Sequence, residues 1–422
     1  MANLIIKNGL VIDPLLDYEG QKDIYITQGK ITDKPAIGAQ VIDAKGMIVC
    51  PGFIDIHVHL REPGQEEKET IYSGSLAAVK GGFTSICSMP NTVPAIDNAS
   101  AVEYIRNRAK ENKLVNIFPI AAITRERKGE ELVEMGDIVK AGGVGFSDDG
   151  CWLTNSLIMR RAIEYAQMFG SVIISHAEDH SLSADGYMNE SYTATKMGLK
   201  PIAAAAESVA VARDVLLAEE FGRVHIAHIS TKAAVDIIRT AKKRGVMVTA
   251  ETAPHYFSLT EEACTGYNTN AKVNPPLRTD SDVKAIIKGL QDGTIDAIAT
   301  DHAPHTQDDK NKEFGLAAFG ISGLETAFAL GYTKLVRTEK LSLKQLIYKM
   351  TVGPMQILKL QNKGSLQVGH DADVVILDPD QQFTVDVNTF VSRGKNSPFN
   401  GIELQGAIET TIVGGRVVYE NL

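Results

Sequence analysis

IDIHVHL, residues 54–60, is the first of eight short β-rich runs that alternate with longer helix-patterned segments as far as about Thr300. The other runs are 84–90, 115–123, 144–148, 172–177, 224–229, 246–250 and 295–300. Helical candidates follow them, for instance at 100–112, 156–168, 203–220 and 231–243. Eight βα units in a row predict an α/β fold, a (β/α)₈ barrel of the TIM type. A doubly wound open sheet is the alternative that the count alone leaves open.

The two ends of the chain have a different pattern. They carry short strand candidates separated by Gly and Asp turns, without helices between them, at 4–13, 23–32, 40–49, 372–377 and 406–419. We therefore predict that residues 1–52 and 360–422 build one small β-sandwich domain and that residues 53–359 form the catalytic barrel. The sequence contains no Pro/Ser-rich linker, so we expect the two parts to pack tightly.

Charge and cysteine content restrict the function. The chain has 422 residues and a net charge of −9, so a nucleic-acid backbone or an anionic membrane would repel it, and neither is an expected partner. The four cysteines lie far apart and form no CxxC pair, which argues against a disulfide framework and a thiolate zinc site. The first residues lack a secretory pattern, and no 18-residue apolar run occurs. We therefore expect a cytoplasmic protein.

The paired histidines of the first run indicate a metal site. Alternate residues of a strand point the same way, so His57 and His59 are expected to share one face. The other face is apolar, with Ile54, Ile56, Val58 and Leu60 expected to pack against the helices. Two imidazoles at this spacing can hold one metal ion, and imidazole suits zinc. A single HxH is nevertheless a common accidental pattern.

Further metal-ligand residue types end or directly follow four other strand candidates: His176, His228, Asp301 and the pair Asp148–Asp149. The carboxyl ends of parallel strands meet at one rim of a barrel, where its active sites are built. Five strands therefore deliver potential ligands to one place. His225 lies three residues before His228 and has the opposite strand parity, so we interpret it as a structural residue.

Several motifs carry a family resemblance through the whole barrel. DIHVHLREPG (55–64), SMPNT (88–92), GFSDDG (145–150), SHAED (175–179), AHIS (227–230), NPPLR (274–278) and ATDHAPHTQDDK (299–310) closely resemble the dihydroorotases of the amidohydrolase superfamily. Many amidohydrolases share HxH, whereas HVHLR together with TDHAPH and a downstream Lys310 is much more restricted. The resemblance implies roles for individual residues at the rim.

The resemblance implies two zinc ions per subunit. One would be held by His57, His59 and Asp301, and the other by His176 and His228. Many relatives bridge the ions with a carboxylated lysine after the fourth strand, but GGVGFSDDG has no lysine. The chain therefore resembles the branch in which an aspartate takes that place. We assign the bridge, together with a hydroxide, to Asp149 and keep Asp148 as the alternative.

The resemblance also implies the reaction, reversible hydrolysis of the cyclic amide of (S)-dihydroorotate to N-carbamoyl-L-aspartate in pyrimidine biosynthesis. Asp301 would move the proton from the attacking water to the leaving ring nitrogen. The substrate carboxylate would be bound by Arg61, Asn91 and His305. The amide groups of the ring would be met by Asn274 and by the backbone at Phe319 and Gly320.

Other functions stay open at this point. An allantoinase or a dihydropyrimidinase would use similar metal ligands, so the carboxylate-binding set must discriminate them. A non-catalytic scaffold for aspartate transcarbamoylase is the rival from another class. Family resemblance favours a homodimer, with an association with aspartate transcarbamoylase as a further hypothesis. Segment 303–322 is long and charged and is a candidate lid. Segment 178–200 is either another loop at the mouth of the site or, as we expect, solvated surface.

Overall fold

A computed structural model describes residues 3–421 of the chain. Its largest sheet within that range has eight strands, and each strand is parallel to its neighbours in chain order. The strands are Phe53–Val58, Phe83–Ser88, Asn116–Ala121, Gly145–Phe146, Ile173–Ser175, Val224–Ile226, Val248–Thr252 and Ala297–Ile298. Val58 also pairs in parallel with His302, and the His59 N–H donates to the His302 carbonyl at 2.9 Å. These contacts bring the first strand against the last, which confirms the predicted barrel over the open sheet.

Helices cover the outside of the sheet and connect its strands. In the barrel they span Ile71–Lys80, Ala99–Asn112, Met135–Ala141, Ser156–Gln167, His180–Ser183, Tyr192–Met197, Ala204–Phe221, Lys232–Lys243, Pro254–Ser258, Asp280–Asp292, Gln307–Lys310, Ala327–Gly331, Leu343–Met350 and Val352–Leu358. Polar N-caps start several of them, such as Thr70, Asn98 and Thr231, whose side chains accept backbone N–H groups. Among residues 3–421, none of the helices is long and apolar enough to cross a membrane.

The first barrel strand departs from the expected alternation. Val58 and Leu60 belong to the large apolar core that includes the helices, whereas Ile54 and Ile56 pack in a separate cluster with residues such as Leu358. The prediction that all four share one face is therefore wrong. The register of the ladder shifts between Phe53 and Ile54 and again between Asp55 and Val58, and such irregularities change which side a residue faces.

Strands from both chain ends form two further sheets. The four-stranded sheet contains Leu4–Lys7, Ile24–Thr27, Lys30–Thr32 and Gln40–Asp43. The six-stranded sheet contains Leu10–Asp13, Tyr18–Gln21, Ile48–Pro51, Val374–Thr384, Glu403–Val413 and Arg416–Glu420. One buried apolar cluster joins residues of both sheets, including Leu4, Ile26, Val49 and Val374. Two sheets that share a core make the predicted sandwich. The domain boundaries stay a prediction.

Candidate metal centre and active site

Four imidazoles surround the carboxylate of Asp149. Its Oδ1 lies 3.3 Å from His57 Nε2, 3.5 Å from His176 Nδ1 and 3.7 Å from His228 Nε2. Its Oδ2 lies 3.6 Å from His59 Nε2. All five side chains are buried, and they come from the ends of four different barrel strands. The structure thus brings together residues spread over more than 170 positions of the sequence, and Asp149 is at the centre of the group.

Asp301 and Asp148 occupy different positions relative to this group. Asp301 Oδ1 is 3.1 Å from His59 Nε2 and 3.6 Å from His57 Nε2, so it adjoins the first histidine pair. Asp148 instead accepts hydrogen bonds from the backbone N–H groups of Ile123 and Thr124 and from the Thr124 hydroxyl. These bonds occupy both oxygens of Asp148 and tie the end of one strand to its neighbour. Of the adjacent aspartates, only Asp149 is directed at the imidazoles.

The chemistry of this group fits divalent cations. Two triads, His57–His59–Asp149 and Asp149–His176–His228, each have ligand atoms within 4.8 Å of one another. Buried atoms without a hydrogen-bond partner in residues 3–421 include His57 Nε2, His228 Nδ1 and Asp149 Oδ1. A buried polar atom without a partner is costly, and a ligated cation satisfies it. Burial penalises the Asp149 carboxylate, yet His57, His176 and His228 hold its pKa well below the usual value.

Two glutamates that sequence analysis missed orient the histidines. Glu251 Oε1 accepts from His57 Nδ1 at 2.7 Å, and its Oε2 accepts from His225 Nε2 at 3.2 Å. A ligand imidazole whose other nitrogen donates to a carboxylate has its tautomer and orientation fixed. His225 belongs to this supporting layer and not to the ligand set. Glu251 lies on the strand Val248–Thr252, and an acidic residue inside a buried strand was the available signal.

The second glutamate, Glu178, belongs to the segment 178–200. Its Oε2 is 3.0 Å from His176 Nε2 and 2.7 Å from Asn274 Nδ2. Further along, Asn189 is buried and accepts from Arg278 Nη1 at 2.9 Å. The expectation of a solvated surface is therefore wrong for these residues, because Glu178 and Asn189 face inward. The position of Glu178 two residues after His176 was the signal for it.

Arg61, His305 and Phe319 form one chain of contacts beside the metal group. Arg61 Nε donates to the Pro304 carbonyl at 3.2 Å, and Arg61 Nη2 lies 3.3 Å from His305 Nε2. His305 Nε2 is also 2.8 Å from the Phe319 carbonyl. The Arg61 side chain is buried, and burial lowers its pKa to about 10, so the guanidinium is charged at neutral pH. The structure places a buried cation next to the imidazoles.

The remaining predicted residues are Asn91, which contacts the metal group directly, Asn274, which contacts it through Glu178, and Gly320. Asn91 accepts from His59 Nδ1 at 2.8 Å and donates to Asp149 Oδ2 at 3.2 Å. Asn274 reaches His176 through the Glu178 carboxylate, which contacts both side chains. Gly320 has a φ of +145°, and a Cβ there would meet the Ala303 carbonyl oxygen at 2.7 Å. That close approach excludes larger residues, so the backbone at Gly320 stays uncovered by a side chain.

Three residues of the predicted site have a positive φ angle, which is an unfavourable backbone conformation for residues other than glycine. The φ angles of Arg61, His228 and Asp301 are +61°, +31° and +48°. Non-glycine residues in this region cost about 1–3 kcal/mol each and cluster at functional sites. The strand ends at Val58, so Arg61 reaches the site through this turn and not by strand alternation. Similar sharp turns direct His228 and Asp301 at the rim.

A parallel barrel whose strand ends gather imidazoles and carboxylates into two adjoining ligand sets has the architecture of a metal-dependent amidohydrolase. The family described as dihydro-orotase-like matches residues 46–234, and the amidohydrolase family matches residues 290–419. A dihydroorotase of Pelotomaculum thermopropionicum is 54% identical and covers 99% of both chains. One of Ruminiclostridium cellulolyticum is 52% identical and covers 98% of both. This chain belongs to the dihydroorotase family.

Solved structures show the same architecture at lower sequence identity. The L-hydantoinase (dihydropyrimidinase) from Arthrobacter aurescens superimposes with a TM-score of 0.88 at 29% identity, over 100% of this chain and 96% of that chain. The dihydropyrimidinase from Brevibacillus agri NCHU1002 gives 0.87 at 24% identity, over 99% and 95%. The second likeness shows the fold alone. These structures belong to the class of enzyme that the sequence left open as the main rival.

Proposed function

We propose that this chain is a dihydroorotase, which hydrolyses the cyclic amide of (S)-dihydroorotate reversibly to N-carbamoyl-L-aspartate. Relatives that carry this name are more than 50% identical over nearly the whole chain. The small-molecule substrate is consistent with a site enclosed by buried side chains at the barrel rim. The observation that carries the choice of substrate is the environment of Arg61.

Arg61 is a buried cation, and the carboxylates that act on its charge, Asp301 and Asp149 most strongly, do so from beyond ion-pair distance. Arg61 is 8% exposed, and no carboxylate in the described part of the chain lies within ion-pair distance of its guanidinium. A buried charge without a partner is costly, and a planar guanidinium binds a carboxylate through two parallel hydrogen bonds. Dihydroorotate brings a carboxylate, whereas allantoin and dihydrouracil do not. We assign Arg61, with Asn91 and His305 beside it, to that carboxylate.

The metal group is proposed to hold two zinc ions. His57, His59 and Asp301 would hold one, His176 and His228 the other, and Asp149 would contact both together with a hydroxide. Such ions, when bound, polarise an amide carbonyl and lower the pKa of water so that it attacks at neutral pH. Imidazole and carboxylate donors suit zinc. The supporting contacts of Glu251 and Glu178 keep the imidazoles turned toward the centre.

Asp301 is proposed to move the proton that the reaction requires. Its carboxylate adjoins His57 and His59 at the rim where the ring amide must lie. Positioned there, it takes a proton from the attacking water and delivers it to the leaving ring nitrogen, and transfer of this kind contributes about 10²–10⁴-fold. Asn274 and the backbone of Phe319 and Gly320 would hold the other amide groups of the ring.

Metal analysis combined with a hydrolysis assay tests this proposal. The purified protein is expected to contain zinc and to hydrolyse dihydroorotate, and to lose that activity on chelation and regain it with zinc. 5,6-Dihydrouracil, the same ring without a carboxylate, is expected to be a poor substrate. Faster turnover of dihydrouracil or allantoin would contradict the assignment. A metal-replete protein that never turns over dihydroorotate would instead support the scaffold.

The assembly of the protein is a separate part of the proposal. Family resemblance supports a homodimer and an association with aspartate transcarbamoylase, and both stay predictions, as does the cytoplasmic location. Light scattering of the purified chain measures the first. Copurification with the transcarbamoylase of the same organism measures the second. The scaffold alternative is disfavoured because every expected ligand, from His57 to Asp301, is present at the rim.

A further inference from the structure

Lys310 is a buried lysine whose ammonium, within residues 3–421, contacts only backbone carbonyls. It is 3% exposed, and its Nζ donates to the carbonyls of Ala318 at 2.7 Å, Gly320 at 3.0 Å and Lys272 at 3.3 Å. An ammonium has three N–H donors, so these bonds use all of them. Lys310 therefore acts as a cap for the chain that carries Phe319 and Gly320.

Lys272 makes a second cap of the same kind. Its Nζ donates to the carbonyls of Phe314 at 2.6 Å, Ala317 at 2.7 Å and Gly315 at 3.1 Å, and it is 1% exposed. It also lies 4.3 Å from the centre of the Phe319 ring, within range of a cation–π contact. The Lys272 carbonyl in turn accepts from the Gly320 N–H at 2.9 Å. Both the side chain and the backbone of residue 272 thus hold the same segment.

The two caps act on one short segment, residues 314–320. Its carbonyls at 314, 315, 317, 318 and 320 accept from the two lysines, and that of Phe319 lies 2.8 Å from His305 Nε2. Asn396 Nδ2 adds a bond to the Gly320 carbonyl at 3.0 Å. The segment has no regular secondary structure that could satisfy these groups. Side-chain donors therefore determine where its backbone lies.

Lysine suits positions 272 and 310 better than arginine or an apolar residue would. Its ammonium is compact, so three carbonyls can converge on it, whereas a guanidinium offers a planar fork. Burial lowers the pKa of Lys310 to about 7 and that of Lys272 to about 8, which reflects the cost of burying each charge. Charge-assisted bonds to the carbonyl oxygens favour the ammonium form and oppose this lowering of the pKa. An apolar side chain would leave several carbonyls buried and unsatisfied.

We propose that Lys272 and Lys310 are positioning residues that fix the backbone of residues 314–320 for substrate binding. The role rests on the proposed function, since Phe319 and Gly320 are the residues assigned to the ring. Neither lysine touches the metal group, and both act through the segment they cap. Residues 314–320 then form a fixed wall of the site, and the lid expected for 303–322 is limited to its other residues.

Lys310→Met and Lys272→Met test the proposal, with Lys349→Met as a matched control. Lys349 is also buried and donates to a backbone carbonyl, that of Ile295, which precedes the last barrel strand and so lies at the opposite end from Asp301. We expect the first two variants to raise KM for dihydroorotate at least about ten-fold while kcat changes less than about three-fold. Their zinc content should equal that of the wild type. Lys349→Met should lower Tm and leave KM unchanged.

Hydrogen exchange of residues 314–320 supplies a readout that needs no substrate. Both cap variants should exchange these amides faster than the wild type, and Lys349→Met should not. An unchanged KM, or a fall in kcat and zinc content with normal exchange in 314–320, would overturn the proposal. If Lys310→Met does not fold, the proposal is tested with Lys272→Met and Lys272→Arg. Arginine retains the charge, so Lys272→Arg should raise KM less than Lys272→Met. Failure of the wild type to hydrolyse dihydroorotate would reject the proposed function, while the exchange data would still decide the caps.

Discussion

Replacement of Arg61 by methionine separates the carboxylate contact from the metal chemistry. Arg61 is almost fully buried, so a substrate carboxylate bound there would be desolvated along with it. Hydrogen bonds to charged groups contribute about 1.5–3 kcal/mol each, and with a value at the lower end of that range for each of the two bonds we expect a loss of about 3–4 kcal/mol. That loss corresponds to a decrease in kcat/KM of roughly 150- to 1,000-fold. Methionine keeps most of the side-chain volume, so little of the effect should come from a cavity.

The assay compares dihydroorotate with dihydrouracil in the wild type and the variant. Dihydrouracil lacks the carboxylate, so its kcat/KM should be nearly the same in both, and the preference for dihydroorotate should collapse. Zinc content should stay at the wild-type level because Arg61 is not a metal ligand. Arg223→Met is the control: it removes bonds to the Ser171 and Ile357 carbonyls at the far end of the barrel and should not alter the preference. An Arg61→Met protein that keeps its preference for dihydroorotate within about three-fold would refute the reasoning.

Three further predictions concern the metal group. Asp149→Ala removes the carboxylate shared by both triads and should lower the zinc content measured by mass spectrometry, whereas Asp148→Asn should lower Tm and leave the zinc content unchanged. Equal zinc loss in both variants would contradict the assignment of the bridge. Glu251→Gln weakens the orientation of His57 and should reduce zinc affinity about 10–100-fold in a chelator competition, and unchanged affinity would count against it. Chelation should lower Tm, because a ligand that binds only the folded state stabilises it, and a Tm insensitive to chelator would argue against a metal in this group.

The regular part of the fold was predictable from the sequence. Each of the eight strand runs overlaps the strand found there, although the ends differ by one or more residues, as at 144–148, where only Gly145–Phe146 is paired. The alternation of strand and helix patterns predicted the fold correctly, because a chain of successive βα units can adopt few topologies. The prediction that residues 54–60 alternate strictly between two faces was wrong, because the residue types do not reveal the two register shifts in the first strand.

The sequence predicted those residues of the site that lie at the carboxyl ends of barrel strands. His176, His228 and Asp301 were found because the carboxyl ends of parallel strands converge whatever the loops do. The choice between Asp148 and Asp149 needed coordinates, since both follow the same strand and only their hydrogen bonds distinguish them. Glu178 and Glu251 were missed because their sequence signals, an acidic residue two positions after His176 and one inside a buried strand, do not show which imidazole each carboxylate contacts.

Residues in the loops, and not those at the strand ends, are expected to distinguish the substrate of this chain from the substrates of its structural relatives. A TM-score of 0.88 at 29% identity shows that the barrel with its rim is shared with a hydantoinase, so fold comparison cannot select the substrate. The groups that we propose to select it are Arg61, which follows the first strand through a left-handed turn, and the backbone at Gly320. Gly320 is held by the Lys310 ammonium, the Lys272 carbonyl and the Asn396 side-chain amide, all of which lie outside the metal group. Substrate choice in this family would then evolve through loop residues and their backbone supports, without disturbing the imidazoles.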